Sequence, residues 1–317
     1  MQVIPKLAVH ELSNLLPGKV ETNVSLKQYS RWRIGGNADV VVTPGTTEEL
    51  IKLRKWISKN ALPSVVIGST SNLLFSDHGL RAIMIKMTNN FNQIKIDGNI
   101  ITADAGVWVP MLARRAMVAN LSGLEHISGI PGTLGGLIYM NGGSQRKGIG
   151  DSIIEVSSID SYGNTIKRNK ADCEFSYRKS IFQKNTEIIA NVRLSLDTST
   201  DKAELRRRIL NILQARRKKF PQKHPNCGSV FVSNPAMYEE YGPPGKLIEL
   251  AGLKGYQIGG AVVASEHANF INNLGDATAK DVTELIRTIR EEVHKKFGYL
   301  MEVEARQVNQ NGSIERI

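Results

Sequence analysis

Four glycines and a proline fall within the eight residues Gly129-Ile130-Pro131-Gly132-Thr133-Leu134-Gly135-Gly136, and this segment restricts the fold more than any other. Glycine serves where a Cβ does not fit, and proline fixes φ and removes a donor, so the backbone here takes unusual dihedrals or closely approaches another group. Tyr139-Met140-Asn141-Gly142-Gly143-Ser144 extends the same character. A Rossmann dinucleotide fingerprint fits badly. Pro131 interrupts it, no clean helix is expected to open after it, and no acidic residue ends a following strand. A second segment, Gly68-Ser69-Thr70-Ser71-Asn72-Leu73-Leu74, follows the apolar strand Val65-Val66-Ile67. Its small and hydroxyl residues can bring backbone N–H groups against an anion such as a pyrophosphate, although such residues also form ordinary turns.

A chain of 317 residues is long enough for two or three domains. Residues 38–43 read as a strand, 46–60 as a helix opened by Thr47 ahead of Glu48 and Glu49, and 64–67 as a buried strand. From Ile83 to about Leu196 the chain is strand-rich, with segments at 83–85, 94–96, 100–103, 156–160 and 188–196 and a helix at 110–119. Further helices are expected at 202–219 and, capped by Thr278, at 278–296, with a last strand at 301–308. The pattern is mixed α+β without internal repeats.

No apolar run is long enough to span a bilayer, and Met1 to Leu16 mixes Lys6, His10 and Glu11 into its apolar residues, unlike a secretory signal. Cys173 and Cys227 have neither metal-ligand spacing nor the numbers for a disulfide framework, which fits a cytoplasmic protein without a metal site. Much of the net charge of +11 lies between Arg206 and Lys223, above Leu205, Ile209, Ile212 and Leu213 at helical spacing. That is a solvated helix face or, in part, a site for an anionic diphosphate. Nucleic acid is not expected, because no aromatic-rich binding module accompanies the charge, and no obligate protein partner is indicated.

Two more segments follow, Phe175-Ser176-Tyr177-Arg178-Lys179-Ser180-Ile181-Phe182 and Asn226-Cys227-Gly228-Ser229-Val230-Phe231, with Pro243 to Glu249 and Glu266 to Ile271 downstream. In this order, from about Tyr29 to Arg306, the segments resemble the UDP-N-acetylenolpyruvoylglucosamine reductase family. The resemblance implies an α+β fold like vanillyl-alcohol oxidase, a two-part FAD-binding region plus a smaller α/β substrate-binding domain. The expected division is 1–82 with 300–317, then 83–213, then 214–299. There is no room between Asn191 and Glu204 for a substrate-capping insertion, so the chain resembles the family's shorter branch.

The family's cofactor loops, carried across, implicate Gly68, Ser69, Thr70, Ser71, Asn72, Leu73, Gly132, Thr133, Gly136 and Asn141, with Arg33 beside Gly35-Gly36. Ser69 and Thr70 stand where the family has glycines, and Gly142-Gly143-Ser144 where it commonly has Ala-Gly-Ala. The implied reaction reduces the enolpyruvyl ether of a UDP-sugar in cell-wall peptidoglycan synthesis, with FAD carrying electrons from NADPH. Negative charge then spreads onto the substrate carboxylate, and a guanidinium fits that task because it binds bidentately and keeps its charge. Arg178 occupies the family's position for it. Ser229 is implied as proton donor to the carbon bearing the carboxylate, and Glu304 as the carboxyl assisting at the substrate acid. Tyr177, Lys219 and Asn234 are implied to contact substrate, with Lys219 supporting the weakly acidic Ser229. His267 reads as a packing residue and Cys227 as an inert thiol.

Overall fold

The computed structural model describes residues 4–87, 90–221, 223–233 and 238–317. Its helices are α1 (Lys6–Leu15), α2 (Thr47–Lys59), α3 (Val109–Val118), α4 (Leu134–Tyr139), α5 (Lys202–Lys219), α6 (Pro244–Leu250) and α7 (Ala279–Phe297). Strands Val20–Ser25, Asn37–Val42, Leu80–Lys86 and Ser64–Ile67 form the first sheet in that spatial order, the first pair antiparallel and the others parallel. Side-chain alternation splits this sheet between two cores. Val40, Val42, Ile83 and Ile85 pack with Leu50, Leu53 and Ile57 of α2, whereas Val41, Ala82 and Met84 join Val65, Ile67 and Phe75. The cap of α2 is Thr46 rather than Thr47, its side chain accepting from Glu49 N at 3.2 Å. The boundary expected between 82 and 83 falls inside the strand Leu80–Lys86, so the first unit is drawn through Lys86.

The strand-rich middle is an antiparallel sheet in the order Thr165–Asn169, Ile153–Ile159, Ile188–Ser195, Ile100–Asp104, Ile94–Asp97. Arg54 on α2 reaches across to it, donating to the Asp160 and Thr186 carbonyls at 3.2 and 3.1 Å. Helix α5 starts at Asp201, whose carboxylate accepts from Glu204 N at 2.8 Å, and it runs through the boundary expected at 213/214.

The third unit packs α6 and α7 on a small antiparallel sheet, Gln257–Ile258, Ala261–Val263 and Ile271–Asn273. Thr278 and Asp281 form a reciprocal capping box at 3.1 and 2.9 Å, and Gly298 ends α7 at φ +71°. The helix buries Val282, Leu285, Ile286, Ile289 and Val293. The last strand is shorter than expected. A regular ladder exists only at Arg306–Val308, parallel to Leu73–Phe75, while the preceding extended segment still buries Met301, Val303 and Ala305 alternately.

Trp32 belongs to the first unit in sequence but to the third in packing. It is fully buried among Leu247, Ile271 and Ile286, donates Nε1 to the Ile271 carbonyl at 2.8 Å, and accepts at its own carbonyl from Asn273 Nδ2 at 2.8 Å. Asp77 makes a second tie, accepting from the Ala279 and Lys280 amides at 2.8 and 3.2 Å. Trp32→Ala should cost about 3–5 kcal/mol of unfolding free energy, the range for emptying a large aromatic site. Trp32→Phe should cost about 1–3 kcal/mol for the carbonyl left unpaired. Urea unfolding of both variants measures this, and stability equal to wild type in Trp32→Ala would rule out the anchoring role.

Candidate active site

The units meet around one cleft of about 2080 Å³, well above the roughly 300–1,000 Å³ typical of a single small-ligand site. Every site residue named from the sequence lines it except Asn234, which lies outside the described residues. Its wall is electropositive, with Arg31, Arg33, Arg146, Lys147, Arg216, Arg217, Lys219 and Lys223 set against few carboxylates. The +11 charge is therefore divided. Arg207 and Arg208 pair with Glu204 on the outer face of α5, whereas Arg216 lies over the Phe220 ring at 4.7 Å and against Gly129.

The two glycine-rich loops touch each other. A Cβ at Gly68 would lie 2.1 Å from Thr133 Oγ1, so this glycine is required by loop packing. The expectation that no helix follows Gly129–Gly136 is corrected. Thr133 caps the short helix α4, its Oγ1 accepting from Gly136 N at 3.5 Å, and Gly135 and Gly136 lie inside that helix. Gly35 and Gly36 also have packing causes, since Cβ atoms there would lie 2.8 Å from Phe75 Cβ and 2.4 Å from the Asp77 carbonyl. Thr70 holds φ +52°, a backbone state that favours glycine. Its hydroxyl donates to the Tyr29 carbonyl at 2.7 Å and accepts from Arg31 N at 3.1 Å.

Asn72 and Asn141 use their side chains within the protein. Asn72 Nδ2 donates to the Glu304 carbonyl at 3.0 Å. Asn141 donates to the Ser176 carbonyl at 2.9 Å and accepts from Gly150 N at 3.0 Å. Both therefore hold neighbouring chain segments in place. Arg33 is exposed on the cleft wall at φ +56°.

Arg178 stands on a tight turn closed by mutual Ser176 and Lys179 backbone bonds, with φ +56°. Its Nε lies 3.0 Å from Glu304 Oε1, but the N–H is not aimed at that oxygen and has no aligned partner. The pair is thus held by charge, leaving hydrogen-bonding capacity on the guanidinium. Tyr177 donates to the Ser233 carbonyl at 2.5 Å, and its ring centroid lies 5.5 Å from the guanidinium carbon. Ser229 is half-buried on the cleft wall. Its strand neighbour Val230 accepts from Glu304 N and Ala305 N at 2.8 and 3.2 Å, which brings serine and glutamate to one end of the cleft. Lys219 makes no hydrogen bond to Ser229 among the described residues, its Nζ lying 5.7 Å from the Phe220 ring centroid. His267 packs with Phe220 and Phe270, and burial pushes the Cys227 thiol far up, away from the thiolate form.

Glu302 and Glu304 part company despite sharing one face of the chain. Glu302 pairs with Arg316 in the open, whereas the Glu304 side chain is only 13% exposed. Two residues that motif reading passed over also matter. The Asn269 amide clasps Phe231 at both its N–H and its carbonyl, at 2.9 and 3.0 Å, and Gln183 joins three segments of the site. Asn269 was visible only as part of the Glu266–Ile271 run.

Burial raises the Glu304 carboxyl above the usual carboxylate range, against the opposing pull of Arg178 and Arg306. A folded chain that keeps this proton to higher pH than the unfolded chain loses stability as pH rises through the folded value. Below the unfolded value of about 4.3 the penalty is absent. Glu304→Gln should therefore melt higher than wild type at pH 8, with the gap closing by pH 4. A thermal-melt series across pH tests this, and a gap that is constant or reversed would contradict it.

Comparison with known proteins matches this arrangement. Residues 38–168 match the FAD binding domain family, and residues 220–308 match the C-terminal domain of UDP-N-acetylenolpyruvoylglucosamine reductase. The chain is 42% identical over 303 residues to UDP-N-acetylenolpyruvoylglucosamine reductase 1 of Corynebacterium glutamicum, covering 96% of this chain and 90% of that protein. It is 40% identical to the reductase of Halalkalibacterium halodurans, covering 93% and 96%. The crystal structure of the reductase from Thermus caldophilus superposes with a TM-score of 0.77 at 33% identity, covering 91% of this chain and 98% of that one. Near-complete coverage at this identity means that the chain belongs to the UDP-N-acetylenolpyruvoylglucosamine reductase family.

Proposed function

We propose that this chain reduces UDP-N-acetylglucosamine enolpyruvate to UDP-N-acetylmuramate with NADPH, as a cytoplasmic step of peptidoglycan synthesis. The observation that carries the reading is the convergence of Arg178, Glu304 and the Ser229 segment at one end of a cleft whose remainder is lined by the 68–73 and 129–144 loops. No described helix is long and apolar enough to cross a membrane. The cleft residues fit FAD. Buried Ser128 Oγ and Asn185 Nδ2 line it without a protein partner, and Arg33, Arg216 and Arg217 offer cations for a diphosphate. Bound FAD would supply the two-electron carrier between NADPH and the terminal alkene carbon of the substrate.

The protein's own residues manage charge and proton. Arg178 holds the substrate carboxylate through the guanidinium positions not facing Glu304, and its charge stabilises the enolate-like species formed as the alkene is reduced. Glu304, whose carboxyl burial raises above the usual carboxylate range, donates toward the same carboxylate when it carries its proton. Ser229 delivers the proton to the carbon bearing the carboxylate. Tyr177 steadies the Arg178 turn from the far side through Ser233.

A Cβ at Gly132 would meet only Ser71 Oγ, at 3.5 Å, so the protein leaves room there and a larger side chain enters the cleft. Gly132→Val should fold with an unchanged melting temperature in the flavin-free protein and lose most of its FAD, read from the visible flavin absorbance. Stoichiometric FAD in Gly132→Val would overturn the loop assignment. Turnover of authentic enolpyruvyl substrate with NADPH tests the reaction itself, and purified FAD-loaded protein without that turnover would refute it.

A further inference from the structure

We infer that Gln183 is a positioning residue for the Arg178–Glu304 pair, an inference that rests on the function proposed above. Its side chain joins three segments. Nε2 donates to the Tyr139 carbonyl at 2.7 Å and to the Arg178 carbonyl at 3.0 Å, while Oε1 accepts from Arg306 Nη2 at 3.0 Å. The partners fix the amide's orientation. Turned over, its NH2 would face a guanidinium that only donates, and its oxygen would face two carbonyls that only accept.

Arg178 needs such a hold. Its φ of +56° is a left-handed state, which is unfavourable for a residue with a side chain and persists only where the surroundings enforce it. Three side chains bind this turn to the 139–141 segment. Ser180 donates to the Tyr139 carbonyl at 2.7 Å, Asn141 donates to the Ser176 carbonyl at 2.9 Å, and Gln183 holds the Arg178 carbonyl itself. Of the three, Gln183 also grips Arg306, two residues on from Glu304 along the closing segment. It therefore couples the backbone under the Arg178 guanidinium to the side chain of Arg306, on the segment that carries Glu304. A glutamine that merely closed the local turn Ile181–Gln183 would have no need of the Arg306 contact.

The test uses FAD-loaded protein carrying Gln183→Glu, which keeps an acceptor for Arg306 but loses both donors, and Gln183→Leu, which loses all three bonds. Flavin content and NADPH-driven flavin reduction should stay within about twofold of wild type, whereas reoxidation by the enolpyruvyl substrate should slow by about 10- to 100-fold, the scale of a displaced catalytic group. Calorimetric affinity for the UDP-sugar acid product should fall in parallel. In an Arg178→Lys background, Gln183→Leu should add less than about twofold, because residues acting through one another are not additive. Reoxidation near wild type in both variants would overturn the inference. So would a full additional penalty on Arg178→Lys, or equal slowing of both half-reactions with loss of FAD, which marks a purely structural clamp. A wild-type protein that the substrate does not reoxidise would instead sink the proposed function, and this inference with it.

Discussion

The site depends on a short backbone contact between residues 229–232 and 302–305. Val230 accepts from the Glu304 and Ala305 amides, and Val232 N donates to the Glu302 carbonyl at 2.9 Å. Because the main chain makes the contact, the segments that carry Ser229 and Glu304 are paired by the fold itself. The outer edges of the contact are closed by amide side chains, Asn269 around Phe231 and Asn72 on the Glu304 carbonyl. Groups fixed in advance need little reorganisation when charge develops, which is the main route to electrostatic stabilisation in a water-poor site.

That arrangement carries a stability cost. Glu304 is deeply buried with only a charge-held contact to Arg178, and Arg178 Nε and Arg306 Nε are buried without aligned partners. Each unsatisfied buried donor costs about 1–3 kcal/mol. Such defects are usual where a ligand completes the hydrogen bonding, and a carboxylate-bearing substrate of the kind proposed supplies acceptors at this place. The rest of the fold offsets the cost. Trp32 locks the first unit into the core of the third, and the parallel pairing of Arg306–Val308 with Leu73–Phe75 draws the closing strand under the cofactor loops.

Much of this was legible in the sequence because the chemistry demands particular residue types. The glycine-rich loops, the Tyr177-Arg178 turn and the Gly228-Ser229 pair all line the cleft, as do the described site residues carried across by family resemblance. Helices with complete caps, such as α7 with Thr278 and Asp281, were equally plain. Helix α4 was not, since Gly135, Gly136 and the nearby Pro131 oppose helix by propensity, and its first turn is tied instead by long-range bonds from Leu134 N to the Val107 carbonyl and from Gly135 N to the Ala105 carbonyl. Nor was the end of the first sheet visible, because Leu80–Lys86 belongs to it only through long-range pairing. The side chains of Asn72, Asn141 and Gln183 pointed nowhere in one dimension. Their partners lie on separate segments, and an amide in a loop has many uses.

On the function proposed, the Ser229 hydroxyl delivers the proton that completes substrate reduction. Stopped-flow measurement of the two half-reactions in Ser229→Ala tests it most directly. Reduction of the bound flavin by NADPH should proceed at nearly the wild-type rate, and reoxidation by the enolpyruvyl substrate should slow by about 10²-fold or more, the usual effect of removing a general acid. Reoxidation within a few-fold of wild type would contradict the account and leave Ser229 as a residue of the turn after Gly228.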